Sequence, residues 1–442
     1  MTLERLLRRR RTDRQAGPSL WRNRDYMLLW TGQTVSTLGS SMSFFVFPLI
    51  GLALTGSPAK AALAGGAFSL GQLVLRLPAG VLVDRWSRSR VMVVSNLAGS
   101  VLYASLAVAQ LVGALTLAQL VVVAFLTGVA GSFFAPAEQA AVKAVVPTEQ
   151  LPTAFSQNQA RGHVAVLVGP PVGGALFGLR VWAPFLVDAL TYLVSAVGLT
   201  RLRTPMPAPP AAEESGGVAG VWRDTREGFV FLWGQGFLRA ILAFACLANF
   251  AVNGLFLVLT LKLLQAGVSP VSIGLIDTIG AVAGLAGSVV APAVIRRVPS
   301  GMLSIGTGLL LAAGFVPMAF TDSVPVIGLL LAVALVGNPA GNACVSSYLA
   351  ATTPDRLQGR AMAALTFSAM LFMPLAPVLG GAALAAFGGR TAMLVAAGLT
   401  ALSVAPLLVS REVRRLSTPD RWPGHVVGTE ATVEPVLAPV QG

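Results

Sequence analysis

Charge is scarce in this chain. Lys, Arg, Asp and Glu make up 11% of its 442 residues, against roughly a quarter in a soluble globular domain, too few to cover the exterior of a water-soluble protein of this length. Acid is scarcer than base, with 18 Asp and Glu against 31 Lys and Arg and a formal balance of +13. Two cysteines and two histidines exclude a disulfide framework and a Cys/His metal centre. Cys246 and Cys344 fall in apolar stretches, one in each half, and read as small core residues. No stretch carries a nucleophile motif, a metal-ligand spacing or a glycine loop followed by lysine and a helix. Neither a hydrolase site nor a direct ATP site is written here, and no cofactor is expected.

What is abundant is apolar surface. Hydrophobic residues make up 55% of the chain and the mean hydropathy is +0.75, values of an integral membrane protein. Windows of about 20 apolar residues predict helices over 26–54, 59–83, 89–112, 116–145, 150–178, 182–201, 238–265, 270–295, 300–321, 325–350, 357–387 and 389–410. That is an all-α membrane fold of about twelve spans, six per half. The predicted organisation is a basic cytoplasmic tail (1–24), a six-helix half (25–203), a linker (204–236), a second six-helix half (237–410) and a cytoplasmic tail (411–442). Residues 204–220 are too rich in Pro, Ala, Gly and acid to span a membrane. Residues 221–233 set Trp222, Phe229, Leu232 and Trp233 among Arg223, Asp224, Arg226 and Glu227, the pattern of a short amphipathic interfacial helix. From Arg411 onward periodicity is lost, and a disordered tail is expected.

The halves are copies. PTEQLPTAFSQNQARGHVAVLVGPPVGG from Pro147 returns as PDRLQGRAMAALTFSAMLFMPLAPVLGG from Pro354, an offset of about 207 residues. The same offset carries Gly80 onto Gly287 and Arg90 onto Arg297. Two parallel, strongly apolar copies of one helical unit are the trace of a two-halved membrane transporter.

Location decides what the positive charge means. About 24 of the 31 basic residues fall at the N-terminus, the even-numbered loops and the C-terminus, and about 4 (Lys60, Arg180, Lys262, Arg390) in the opposite loops. Basic residues follow the cytoplasmic side, so a multi-pass protein of the inner, cytoplasmic membrane with both termini inside is expected, and a nucleic-acid partner is not. The arginine-rich start precedes an apolar span too long, and without the small-residue cleavage site, for a signal peptide; it reads as a tail that touches anionic lipid. The Asn23-Arg24-Asp25-Tyr26 entry places Tyr26 and Trp30 as interface anchors.

Between the second and third predicted helices, Gly80-Val-Leu-Val-Asp84-Arg85-Trp-Ser-Arg88-Ser-Arg90 is a tight loop with one acid and three bases in seven residues. It resembles the corresponding loop of the major facilitator superfamily, departing mainly at Ser87, where glycine is usual. The resemblance implies that Gly80, Asp84, Arg85, Arg88 and Arg90 belong to a charge lock holding the halves together on the cytoplasmic side. At the matching place the second half has Ala291 and Pro292 in place of the acid, so the lock is expected to be asymmetric. Gly169-Pro170-Pro-Val-Gly173-Gly174 resembles the superfamily's exporter signature, whose proline bends the fifth helix while its glycines permit close packing. Its echo, Ala376-Pro377-Val-Leu-Gly380-Gly381, shows that part of the signature belongs to the repeat. Together with the Asn23 to Tyr26 entry, Val146-Pro147-Thr-Glu-Gln-Leu151 and Pro354-Asp-Arg-Leu-Gln-Gly359-Arg360-Ala361, these motifs resemble the bacterial branch that includes the enterobactin exporter, the transmembrane secretion effectors. That resemblance implies export of small, rather apolar molecules such as siderophores, antibiotics, drugs or other secondary metabolites. The arginine usual in the fourth helix of proton-coupled drug exporters is absent around Gly128 and Gly131.

An ionisable group at mid-bilayer costs about 2.5 to 3.5 kcal/mol on insertion scales, so each one asks for a reason. The candidates are Arg76, Glu138, Arg161, Asp188 and Asp277. The repeat maps Glu138 to Val345, Arg161 to Ser368 and Asp188 to Val395, so the fold itself does not require those charges. Arg76 reads as snorkelling to the interface, and His163 as a polar cavity residue. Glu138 and Arg161 lie roughly 10 and 16 Å from the cytoplasmic ends of their helices by helical rise, within reach of each other, either as a structural pair or as a substrate or proton site. Arg161 as polar anchor with Glu138 orienting it, and Asp188 or Asp277 as the proton site, is the assignment carried forward. The expected function is a monomeric, proton-coupled secondary exporter of small amphipathic molecules working by alternating access. A lipid-handling protein, a membrane-embedded enzyme or sensor on the same fold, and an importer are the alternatives.

Overall fold

The structure is a computed structural model and describes residues 20–83, 86–206 and 217–422. The first half consists of α1 (Arg24–Thr55), α2 (Pro58–Val83), α3 (Arg88–Leu111), α4 (Leu117–Val145), α5 (Leu151–Leu179) and α6 (Ala183–Thr200). The linker helix α7 (Gly217–Gly234) follows. The second half comprises α8 (Gly236–Gln265), α9 (Pro270–Arg297), α10 (Ser300–Phe315), α11 (Val324–Leu335), α12 (Asn338–Thr352), α13 (Asp355–Met370), α14 (Leu375–Ser403) and α15 (Ala405–Val409), before a last turn α16 (Arg411–Arg415). Among the described residues, ten stretches are long and apolar enough to cross a membrane. The last of them, Arg356–Val409, doubles back at Gly388, and α2 adds one more, giving the twelve crossings of the predicted fold.

Two faces follow. One, the basic face, carries the starts of α1 and α3, the linker helix α7 and α16; the other, distal face carries the α1–α2 and α8–α9 turns. At the distal turns Gly56 and Gly267 adopt left-handed φ of 64° and 80°, a conformation open to glycine at little cost. The next helices open in the same way, with Ser57-Pro58 and Ser269-Pro270. These prolines lie 212 residues apart, so the offset of about 207 that carries Gly80 onto Gly287 at the far ends of the same two helices does not hold at their distal ends.

Between the halves α5 lies on α9 and α2 on α14. The two seams are equivalent. A Cβ on Gly174 would stand 2.5 Å from the Pro270 carbonyl oxygen, and one on Gly381 would stand 2.7 Å from that of Pro58. Thr278 Oγ1 on α9 also donates to the Leu167 carbonyl on α5 at 2.7 Å. These contacts all lie in the distal parts of the helices.

Three findings depart from the sequence reading. The spans predicted as continuous over 325–350 and 357–387 are each broken, at Val336-Gly337 and at 371–374. Pro339 and Pro374 supply no N–H at these places, and the second break is bridged by tight bonds such as Met373 N–H to the Met370 carbonyl at 3.0 Å. The tail is not disordered from Arg411: it folds back to Trp422, which is 5% exposed and donates through Nε1 to Ser300 Oγ at 3.2 Å. Tyr26 is not an interface anchor but is buried, 1% exposed.

The amphipathic linker helix lies along α13. Arg360 pairs with Asp224 at 3.2 Å and with Glu227, and Trp222 meets the Phe367 ring edge-on at 6.1 Å. Leu232 faces inward while Phe229 and Trp233, stacked on each other, face out. Asp224 and Glu227, on the polar side of this amphipathic helix, thus clamp it to α13.

Candidate substrate cavity and gating elements

The buried charges are held by the first half's own packing. Arg161 Nη2 lies 2.8 Å from Glu138 Oε1, with the two side chains 9% and 15% exposed. Arg161 Nε and Nη1 are buried without a hydrogen-bond partner among the described residues, so the guanidinium keeps donors to offer. Above it Tyr26 donates its hydroxyl to Gln157 Oε1 at 2.7 Å. No sequence signal marked Gln157, whose role appears only once α1 and α5 are packed.

Asp188 is fully buried on α6, where Thr191 Oγ1 bonds its Oδ1 at 3.1 Å and Oδ2 lacks a partner among the described residues. Gly39 of α1 lies against this carboxyl and Thr191, leaving no room for a side chain. Close by, Gln33 and Asn96 both donate to Ser195 Oγ, at 2.7 and 2.8 Å. Asp188 is therefore enclosed within the first half, between α1 and α6.

Asp277 is placed differently. It borders a cavity of about 400 Å³ between the halves, walled by Phe44, Phe45 and Pro170 on one side and Phe256 and Leu257 on the other. A second cavity of about 380 Å³ lies within the second half, nearer the basic face, and Leu335 borders both. Of the five candidate charges, Asp277 alone lines either cavity. The structure brings Glu138 and Arg161 together and keeps Asp188 and Asp277 apart from them and from each other.

The helix 5 motif faces two ways. Gly169 and Gly173 receive Ser41 and the Met42 backbone of α1, while Pro170 and Gly174 meet Gly274 and Pro270 of α9. In the α2–α3 loop, Arg88 is half-buried and Arg90 exposed; Asp84 and Arg85 lie outside the described residues. The entry motif proves to be a pin, a role its composition does not reveal. Asn23 caps α1 and donates to the Val145 carbonyl at 2.7 Å, and Asp25 accepts from Thr204 N–H at 2.8 Å and Thr204 Oγ1 at 2.6 Å, tying α1 to the end of α6.

The family model for the Major Facilitator Superfamily matches residues 29–348 and 265–439. The chain belongs to this superfamily. Among curated proteins it is 27% identical to the multidrug efflux pump Tap of Mycolicibacterium fortuitum over 388 residues, 84% of this chain and 90% of that one. It is 26% identical to macrolide efflux protein A of Streptococcus pyogenes over 188 residues, 42% of this chain and 46% of that one. Among solved structures, a bacterial homologue of the human lysosomal transporter Spinster, inward-facing and unoccupied, superposes with a TM-score of 0.73 at 16% identity, covering 92% of this chain and all of that one. The nucleoside transporter NupG gives 0.69 at 12% identity over 88% of this chain and all of that one. These likenesses fix the superfamily fold, a multi-pass membrane transporter.

Proposed function

We propose that this chain is a proton-coupled secondary exporter of small amphipathic molecules, with its basic face in the cytoplasm of the inner-membrane cell interior and its cavity alternately reached from either side. The observation that carries the reading is the cavity between the halves, bounded by aromatic and aliphatic walls, sealed distally by two equivalent glycine seams and bordered by one carboxyl, Asp277. Backbone-to-backbone seams at Gly174 and Gly381 let one half rock against the other without displacing side chains. An acid on a cavity wall can meet protons and substrate in turn, which a sealed acid such as Asp188 cannot do without rearrangement.

Export, rather than uptake, rests on the efflux pumps among the relatives. Arg161, oriented by Glu138, serves as the polar anchor of the first half. Asp84, Arg85, Arg88 and Arg90, next to Gly80, serve as the cytoplasmic lock. The driving force is the proton gradient, and no other cofactor is required; the working unit is the monomer. Transport of a fluorescent amphiphile such as ethidium in proteoliposomes, under imposed pH gradients of both signs, tests the whole reading. Movement against the proton flux supports it; movement with the flux makes the protein an importer, and indifference to the gradient removes the coupling.

A further inference from the structure

The repeat permits a comparison of volume. In α4 the space beneath α1 and beside α5 is filled by Phe134, packed on the cluster around Tyr26 and Leu29, and by Glu138 paired with Arg161. At the offset shared by α4 and α12, Phe134 corresponds to Gly341, Glu138 to Val345 and Arg161 to Ser368. A benzyl group and an ion pair are thereby deleted. The space they would occupy is the 380 Å³ cavity of the second half, on whose wall Gly341 and Val345 both lie. Pockets that hold small molecules run to about 300–1,000 Å³.

Its polar wall consists of Asn249, Asn338, Asn342, Ser304, Thr307, Ser346 and Thr366, and no charged residue contributes. The hydroxyls of Ser304, Thr307 and Thr366 and one N–H each of Asn249 and Asn342 are committed to the chain. Asn249 Nδ2 donates to the Ala245 carbonyl at 2.9 Å, Asn342 Nδ2 to Asn338 Oδ1 at 2.6 Å, Ser304 to the Ser300 carbonyl at 2.9 Å, Thr307 to the Ser304 carbonyl at 3.0 Å and Thr366 to the Met362 carbonyl at 2.9 Å. What remains on offer is an excess of acceptors, hydroxyl lone pairs and amide oxygens. Beside them stand apolar walls from Phe244, Leu311 and Leu365. Neither an anion nor a cation finds a counter-charge here; a group rich in hydroxyl donors, with apolar C–H faces, finds both of its partners.

We propose that this crevice is a binding subsite for the neutral, hydroxyl-rich portion, a glycosyl or polyol group, of an amphipathic substrate whose apolar body occupies the adjoining cavity between the halves. Leu335 lines both spaces, so a polar group in one and an apolar body in the other lie within the length of one molecule. The subsite rests on the transporter reading above and narrows its substrate class.

The test is equilibrium binding of 4-methylumbelliferyl glucoside and of its sugar-free parent, 4-methylumbelliferone, to the purified full chain in nanodiscs. The glucoside binds about tenfold more tightly than the parent, the return of one or two net hydrogen bonds. Gly341→Phe, which restores the bulk of the first half, brings the ratio to about one and leaves the parent's affinity unchanged. Thr366→Val paired with Asn249→Leu removes acceptors without filling the site and lowers the ratio at least about threefold; it serves if Gly341→Phe does not fold. Equal affinities in the unmodified protein, or a ratio that survives both variants, overturn the subsite. No glucoside binding overturns it too: the transporter reading stands if the parent still binds, and falls with it if neither probe does.

Discussion

Gly174 of the first half rests on the backbone of Pro270, and Gly381 of the second rests on that of Pro58; yet Glu138 and Arg161 pair where the second half has Val345 and Ser368. The contrast separates what the repeat must keep from what it is free to change. A seam between two rocking bodies works only if both bodies build it, so its glycines and prolines recur. Chemistry inside each half faces no such constraint. The first half spends its interior on an ion pair and a sealed acid, and the second leaves an open, uncharged crevice at the corresponding place.

The largest effect that would test this division is at the seams. Gly174→Leu or Gly381→Leu forces a side chain into backbone, with overpacking of this kind costing about 1–3 kcal/mol or more; transport in proteoliposomes falls to background for either variant, at equal expression. Loss at one seam alone would break the equivalence of the halves.

Next in size is the ion pair. Arg161→Ala leaves a buried carboxylate uncompensated, a change worth about 3–5 kcal/mol, read as a lowered melting temperature in detergent. Arg161→Met together with Glu138→Gln recovers most of that stability while transport stays lost. Recovery of both would make the pair purely structural, as its absence from the second half already allows.

Asp84→Asn follows. Its mate in the repeat is Ala291, so no second acid stands in for it; transport drops sharply while membrane insertion and yield, measured by fluorescence-detected chromatography, hold. Smallest is Asp25→Ala, which frees Thr204 from α1 and destabilises by about 1–3 kcal/mol, lowering the melting temperature with transport retained at permissive temperature.

Much of the fold was legible because length and hydropathy report spans directly and the glycine-proline motif reports close packing. What stayed hidden depends on partners far away in sequence. The Pro170-Pro171 pair is accommodated within one continuous helix while Pro374 ends another, and the proline itself does not distinguish the cases. Tyr26 looked like an interface anchor because its position at a helix mouth was visible and its bond to Gln157, over a hundred residues away, was not. Trp422 docks on Ser300 and edge-on against Tyr348, contacts that a fading periodicity concealed. The charges were found as candidates, since an ionisable residue stands out in an apolar run, but only packing separates the walled-in Asp188 from Asp277 on its cavity. A crevice, being a deficit of volume among five helices, leaves no local mark at all.

The division of labour between the halves comes to its sharpest point at the proton. Transport driven by an imposed pH gradient should be measured in proteoliposomes for Asp277→Asn, for Asp188→Asn with Asp277→Asn, and for Glu138→Gln, each at matched folding and reconstitution. The gradient no longer drives transport once Asp277 is changed, while Glu138→Gln retains a response to the gradient with weakened substrate binding. If the double aspartate variant keeps pH-driven transport and Glu138→Gln abolishes it, the proton is carried by the ion pair of the first half and not by Asp277.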